Sequence, residues 1–392
     1  MSRAGVGVLA ALPVVARVCA HTAAERVRPV GDGDPARVPT APGRVGTGWL
    51  TAALCADVPG ARVLAVRAGE GSSGTTWRRV LHLDYNEAGT AAGLPRSVFA
   101  KASPTLRQRI TQAITGPVEP EFYTRLRPQL EIEAPICFHG VVDRRRMTSL
   151  MLLQDLVAEK DATFLTPTTT VTREMAHEVV RMLATVHGTF WGRPRPAFAK
   201  TYVQHWRDAL DLVDVERYFT RCFAEASEHL TSGVRDEPRR AWRAVLASIA
   251  AHDAAPATLL HNDVHLGNWY RTGDGRMGLC DWQAVVHGSW ARDVAYAVTT
   301  TLAVEDRRAW ERELLDLYRE RLAAAGGPTL DPEQAWLDYR RQVWGALAYW
   351  APTFSPPRLM PADMQPRAVS GKLLHRITTA CDDLDAFAAA GV

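Results

Sequence analysis

The chain has 392 residues, 47% of them hydrophobic and 23% charged, which excludes a disordered tail, a fibre or a low-complexity sequence and leaves room for two lobes with substantial cores. Its formal charge is +3; residues 1–46 carry six Arg against Glu25, Asp32 and Asp34, also +3, so the remainder is neutral. A neutral body offers neither a nucleic-acid face nor a polybasic membrane patch, because both concentrate like charge on one surface.

The longest apolar stretch, Ala4 to Ala16, has 13 residues and is interrupted by Gly5, Gly7 and Pro13, whereas a membrane-spanning helix needs about 20. Arg3, this run and the small residues near Ala20 imitate a signal peptide. The preferred reading is an extension, poorly ordered or an irregular helix docked on the domain. Six Cys without a CxxC pair or regular spacing read as thiols of a reduced cytoplasm. Residues 29–46, rich in Pro, Gly and Arg, read as a linker, and the compact fold is expected to start near Trp49.

From Ala61 the pattern is β-like: Val63, Leu64 and Val66, a glycine-rich break at Gly69 to Gly74, then Trp77 to Leu83 in partial alternation, which together predict a hairpin with a flexible tip. Val98-Phe99-Ala100 forms a further short strand ending at Lys101, and Ala134 to Val142 and Leu150 to Gln154 are two more. Past Asp155 the spacing becomes helical, at 175–190, 206–225, 236–250, 302–324 and 333–351. No internal repeat or heptad run is present. These patterns predict an α+β fold, with an extension and linker over 1–46, a strand-rich lobe over 47–155 and a mainly helical lobe over 156–392.

One polar island interrupts the helices. It runs Leu260-His261-Asn262-Asp263-Val264-His265-Leu266-Gly267-Asn268, and Asp281 ends a short apolar strand 13 residues after Asn268. This is the H-x-D-x-x-x-x-N spacing of kinase catalytic loops followed by a DFG-like aspartate. Phosphoryl transfer needs an oriented hydroxyl and metal ions that offset phosphate charge. Asp263 would orient the hydroxyl and accept its proton. Asn268 and Asp281 supply hard oxygens suited to Mg²⁺. His261 would brace the loop through backbone near the metal-binding strand, and His265 would brace it as well. Asp293 would either accept hydrogen bonds from the loop's backbone or stand as an ordinary first-turn acid.

His261, Asp263, Asn268 and Asp281 in order, with Trp282 after Asp281, resemble the catalytic core of the aminoglycoside phosphotransferase and choline kinase-like superfamily, most of all its ecdysteroid kinase-like branch, from about Trp49 to the C-terminus. The resemblance implies a protein kinase-like two-lobed fold, with a small antiparallel-sheet lobe over a larger, mainly helical one. It also implies ATP, or GTP in its place, as phosphoryl donor and Mg²⁺ as the metal. Gly69-Glu70-Gly71-Ser72-Ser73-Gly74 would cover the phosphates, with donors from Ser72, Ser73 and Thr75. Lys101, the only Lys before Lys160, would contact them. Glu119 is preferred over Glu121 as its partner, because Glu119 stands three residues before Phe122-Tyr123. Pro120 between the two acids departs from the family pattern. Leu152-Leu153-Gln154-Asp155-Leu156 resembles the family hinge, so Gln154 and Leu156 would meet the nucleobase through backbone groups.

Only 12 positions separate Asp281 from Asp293, which leaves no protein-docking loop and points to a small hydroxylated acceptor. Trp269, Trp282, Trp290, Trp310, Trp336, Trp344 and Trp350 offer aromatic walls or core. Asp382, Asp383 and Asp385 would serve a cationic acceptor such as an aminoglycoside; the Trp content and the branch favour a less polar alcohol. Two other functions fit less of the pattern: a metal-dependent hydrolase on His261, Asp263 and His265, and a nucleotide-binding pseudokinase. Oligomeric state leaves no trace in the sequence.

Overall fold

Residues 3–27, 33–39, 45–74, 76–212, 214–356 and 365–392 are described by the computed structural model of the chain. Thr75 and the linker residues 29–32 and 40–44 lie outside the described residues.

A long first helix, α1 (Arg3–Val27), leads to α2 (Thr47–Leu54) and a five-stranded sheet. Its strands are β1 (Val63–Ser73), β2 (Trp77–Tyr85), β3 (Ser97–Ala102), β4 (Cys137–Asp143) and β5 (Thr148–Gln154), in the antiparallel order β1-β2-β3-β5-β4. Between strands lie α3 (Glu87–Ala91), α4 (Leu106–Thr115) and α5 (Val118–Glu121), the last continuing as a π-turn over Phe122–Leu126. Thr105 and Gln108 start α4 with a reciprocal capping box. Pro120 sits in the first turn of α5, where a missing N–H removes no intrahelical bond.

Strand β5 is buried on both faces, and its alternation divides two cores. Leu150 and Leu152 join Trp49, Leu50, Leu81, Leu83, Val98 and Ala100 in the small-lobe core. Met151 and Leu153 point the other way, into the large core with Phe122 and Trp282. The expected glycine-rich break is instead strand: β1 runs through it to Ser73, with a register shift between Ala68 and Gly71. The tip is tied down, since Gln108 donates its side-chain amide to the Gly74 carbonyl at 3.1 Å.

After a short turn, α6 (Leu156–Lys160), the second lobe holds α7 (Arg173–Phe190), α8 (Tyr202–Leu212), α9 (Val215–Glu225), α10 (Ser232–Arg235) and α11 (Pro238–Ala254). The polar island comes next, on short strands: with β6 (Thr163–Phe164) go β7 (Thr258–Leu260), β8 (Trp269–Arg271), β9 (Met277–Leu279) and β10 (Val286–Gly288). Helices α12 (Ala291–Thr301), α13 (Val304–Ala324), α14 (Pro332–Phe354), α15 (Arg367–Asp383) and α16 (Ala386–Ala390) complete the lobe.

The N-terminal segment is docked. Helix α1 packs against α4 of the small lobe and α8 of the large one. Buried Glu25 takes two hydrogen bonds from Arg109 at 2.8 and 2.9 Å and one from Arg146 at 3.0 Å. Part of the expected linker is pinned as well: Trp49 Nε1 donates to the carbonyls of Asp34 and Arg37. Among the described residues no helix is long and apolar enough to cross a membrane.

Candidate functional site

The island is a loop between β7 and β8 whose backbone is anchored from below. The buried carboxylate of Asp293, in the first turn of α12, accepts from the N–H of His261 at 2.7 Å and of Asn262 at 2.9 Å. Burial raises its pKa, but the His187 and Arg292 side chains outweigh that and hold it below the usual carboxylate range. Asp293 therefore does more than a first-turn acid. His187 reaches it at 3.4 Å and meets the Tyr318 hydroxyl with its other ring nitrogen at 2.8 Å.

His261 spends both ring nitrogens on backbone, Nε2 on the Cys280 carbonyl at 3.0 Å and Nδ1 as acceptor from the Asp263 N–H at 3.2 Å. Burial keeps it neutral, pulling its pKa down. His265 Nδ1 accepts from Gly267 N–H at 3.0 Å, which closes the short turn before Asn268. Asp263 is left with a partly exposed carboxylate. Tyr296 O–H donates to its Oδ1 at 3.2 Å, and Asn268 Nδ2 donates to its carbonyl at 2.7 Å and to Oδ2 at 3.3 Å. Two residues at this site hold left-handed backbone, Asn262 (φ 69°) and Asp281 (φ 62°).

The small lobe meets this loop at Lys101. Its Nζ lies 2.7 Å from Glu119 and 2.8 Å from Asp281. Burial pulls the Lys101 pKa down, yet the Asp281 and Glu119 carboxylates outweigh it and raise it, so the ammonium stays charged. Asp281 is pushed up by burial but brought below its ordinary value by Lys101 and Arg78. Glu121 faces away and pairs with Arg125 and Arg144. Trp282 stacks on Phe122, centroids 3.9 Å apart and planes 7° apart, which locks the Asp281 turn to the segment carrying Glu119.

The structure brings Lys101, Glu119, Asp263, His261, Asn268 and Asp281 into one cleft region. Asn268 and Asp281 are adjacent through backbone, Cys280 N–H donating to the Asn268 carbonyl at 2.9 Å. With its amide nitrogen turned to Asp263, Asn268 keeps Oδ1 as an acceptor, and the set of two hard oxygens fits Mg²⁺, which draws its other ligands from phosphate and water. Gly71 lies where a Cβ would stand 2.6 Å from the Arg78 carbonyl, so the hairpin closes only around glycine. Ser72 is directly opposite Arg78 in the ladder, and Ser73 Oγ accepts from Gln108 at 3.4 Å. Gln154 pairs with Val98 in the sheet, its side chain donating to Glu159 at 2.7 Å, and Leu156 is the next helix start, the first residue of α6.

Other expectations need correction. His261 spends both ring nitrogens on backbone and His265 spends Nδ1 on the Gly267 N–H, and among the described residues no group of three or more His, Cys, Asp or Glu is arranged to hold a metal. The hydrolase reading therefore lacks its ligand set. Trp269, Trp282, Trp290, Trp344 and Trp350 are buried in the large core, and Trp310 and Trp336 are half-buried against it, so most of the Trp content is core and does not argue for an aromatic acceptor wall. Asp383 is taken by Arg307 and Arg308, which removes one of the acids weighed for a cationic acceptor, while Asp385 is exposed 3.7 Å from Arg340. Sequence reasoning missed Arg78, His187, Arg292 and Tyr296. Tyr296 was within reach of it, standing three residues after Asp293 and so on the same helix face.

A model of the phosphotransferase enzyme family matches residues 107–338. Among solved structures, the microcompartment-associated aminopropanol kinase is similar at 14% identity, over 82% of this chain and 91% of that one, with a TM-score of 0.50. The ethanolamine kinase of Plasmodium vivax is similar at 11% identity, over 81% of each chain, with a TM-score of 0.45. A spectinomycin phosphotransferase solved with ADP and spectinomycin is similar at 13% identity, over 87% of this chain and 99% of that one, with a TM-score of 0.46. No curated protein matches the chain. The first of these likenesses is one of fold: a small antiparallel-sheet lobe over a larger helical lobe, the two-lobed kinase-like arrangement.

Proposed function

Because the chain belongs to the phosphotransferase enzyme family, we propose that it transfers the γ-phosphoryl group of ATP to a hydroxyl of a small molecule, with the nucleotide between residues 47–155 and 156–392. The observation that carries this reading is Lys101, which joins Glu119 and Asp281 at 2.7 and 2.8 Å and so ties the sheet to the strand end beside the Asp263 loop.

In this mechanism Lys101 and the Ser72 hydroxyl at the end of β1 orient the phosphates, and Glu119 orients Lys101. Asn268 and Asp281 would hold Mg²⁺, which when bound offsets the negative charge of the phosphates. Asp263, steadied by Tyr296 and Asn268, accepts a hydrogen bond from the acceptor hydroxyl. As that oxygen bonds to phosphorus, the bond from phosphorus to the β-bridging oxygen breaks, ADP leaves, and the proton passes to Asp263. A small acceptor is supported by the short segment after Asp281: a single turn at Trp282–Ala284, β10 and then α12, with no loop extended for docking a protein. Likeness to the ecdysteroid kinase-like branch rests on the motif string alone.

The test is transfer from γ-labelled ATP across a panel of hydroxylated small molecules, with Asp263→Asn beside the unaltered protein. Asp263→Asn is expected to lower kcat by about 10²–10⁴-fold while nucleotide affinity stays within a few-fold. A protein that neither binds ATP with Mg²⁺ nor is stabilised by it would sink the reading.

A further inference from the structure

One cation beside Asp281, Arg78, has no role in the transfer described so far. Arg78 is the cross-strand partner of Lys101 on β2 and β3, and Ser72 is the partner of Arg78 on β1. Directly paired residues of an antiparallel ladder project from the same face. Ser72, Arg78 and Lys101 thus form one row of hydroxyl, guanidinium and ammonium on the cleft side of the sheet. The row ends on Asp281: Lys101 Nζ is 2.8 Å from Oδ1, and Arg78 Nη2 is 3.4 Å from Oδ2. Arg78 Nε also donates to Thr76 Oγ1 at 3.1 Å, which steadies the base of the fork.

The two cations differ in freedom. The Lys101 side chain is 4% exposed and shared between two carboxylates, whereas Arg78 is 35% exposed. A triphosphate brings more negative charge than one shared ammonium offsets, and a guanidinium fork matches phosphate oxygens two at a time.

We propose that Arg78 is a second phosphate-binding cation of the nucleotide site, and that in the free protein it guards Asp281 until nucleotide arrives. The inference rests on the phosphotransferase reading of the cleft. In the nucleotide-free state Arg78 and Lys101 together neutralise Asp281 and compete with any divalent cation for its oxygens. When ATP enters, Arg78 swings to the phosphates and releases Oδ2, so metal and nucleotide bind together.

The experiment measures binding, with no acceptor needed. Mn²⁺ titration without nucleotide, and calorimetric titration of ATP with Mn²⁺ and of adenosine alone, are compared for the unaltered protein, Arg78→Ala and Arg78→Lys. Arg78→Ala is expected to bind ATP at least about tenfold more weakly, to bind adenosine unchanged, and to bind Mn²⁺ without nucleotide more tightly; Arg78→Lys falls between. A merely structural arginine cannot weaken one ligand and tighten the other. If the unaltered protein binds ATP and Arg78→Ala matches it in ATP and Mn²⁺ affinity, the inference fails and the nucleotide site stands. If the unaltered protein itself fails to bind ATP, the phosphotransferase cleft is overturned and the role of Arg78 goes with it.

Discussion

Asp293 touches no substrate position, yet the loop that carries Asp263 hangs on it. Both of its oxygens accept backbone N–H groups, so Asp293→Asn turns an amide nitrogen toward one of those donors and leaves it unpaired in the core. The expected cost is about 1–3 kcal/mol of stability, read by urea denaturation, together with a fall in kcat. His252 gives the molecule a pH limit. Its Nε2 meets Gln342 at 3.1 Å, its Nδ1 accepts from Ser289 N–H at 3.0 Å, and burial pulls its pKa from 6.5 down to about 3. Below pH 6.5 the unfolded chain takes up this proton and the folded chain does not, so stability falls as pH drops from 6.5 toward 3, by up to about 1.4 kcal/mol per pH unit. Denaturation at pH 7 and pH 5 is expected to show that loss, and His252→Gln to reduce it. At this scale the sequence exposes residues related by short spacing: His261, Asp263 and Asn268 share one loop. Arg78 and Asp281 are 203 positions apart and meet only because two lobes fold against each other.

Among elements, β5 was readable as a strand because its apolar run lacks any helical period, but its service to two cores was not, since both faces are apolar. The segment after Pro117 was harder. Both Glu119 and Glu121 suit a helix start, and only the closure of the sheet over Lys101 decides which one turns inward. Helix α1 was hardest, because its apolar residues imitate a leader segment and an extension could equally be unordered or docked. What docks it is Glu25 between Arg109 and Arg146, two guanidinium groups from distant parts of the chain. Glu25→Ala leaves buried Arg109 without its carboxylate and Arg146 with Asp143 alone, and is expected to cost about 3–5 kcal/mol, measured by chemical denaturation. Glu25→Ala combined with Arg109→Ala should recover part of that loss, because the buried guanidinium left without a carboxylate is removed with it.

For the whole molecule, α1 matters because it packs on α4 and α8 at once and so bridges the lobes. The relative position of the lobes sets whether Lys101 reaches Asp281. Deleting residues 1–27 is expected to lower the melting temperature and to speed amide hydrogen exchange around the hinge at 154–160, while α13 and α14 keep their protection. Equal exchange at the hinge in both proteins would show that α1 does not restrain the lobes. The two-lobed plan itself was legible from the switch between strand-like and helix-like periodicity near Asp155. The bridge was not, because nothing in a helix's own spacing says which two surfaces it spans.

The left-handed backbone at Asn262 and Asp281 also restricts what mutation can do there. That conformation is open to Gly, Asn and Asp and costly for branched or bulky side chains. A saturation library at either position would be thinned by backbone geometry before chemistry is sampled. Survivors would cluster on those three amino acids, and Asp281→Asn becomes the replacement that removes charge while keeping both the backbone and the side-chain shape.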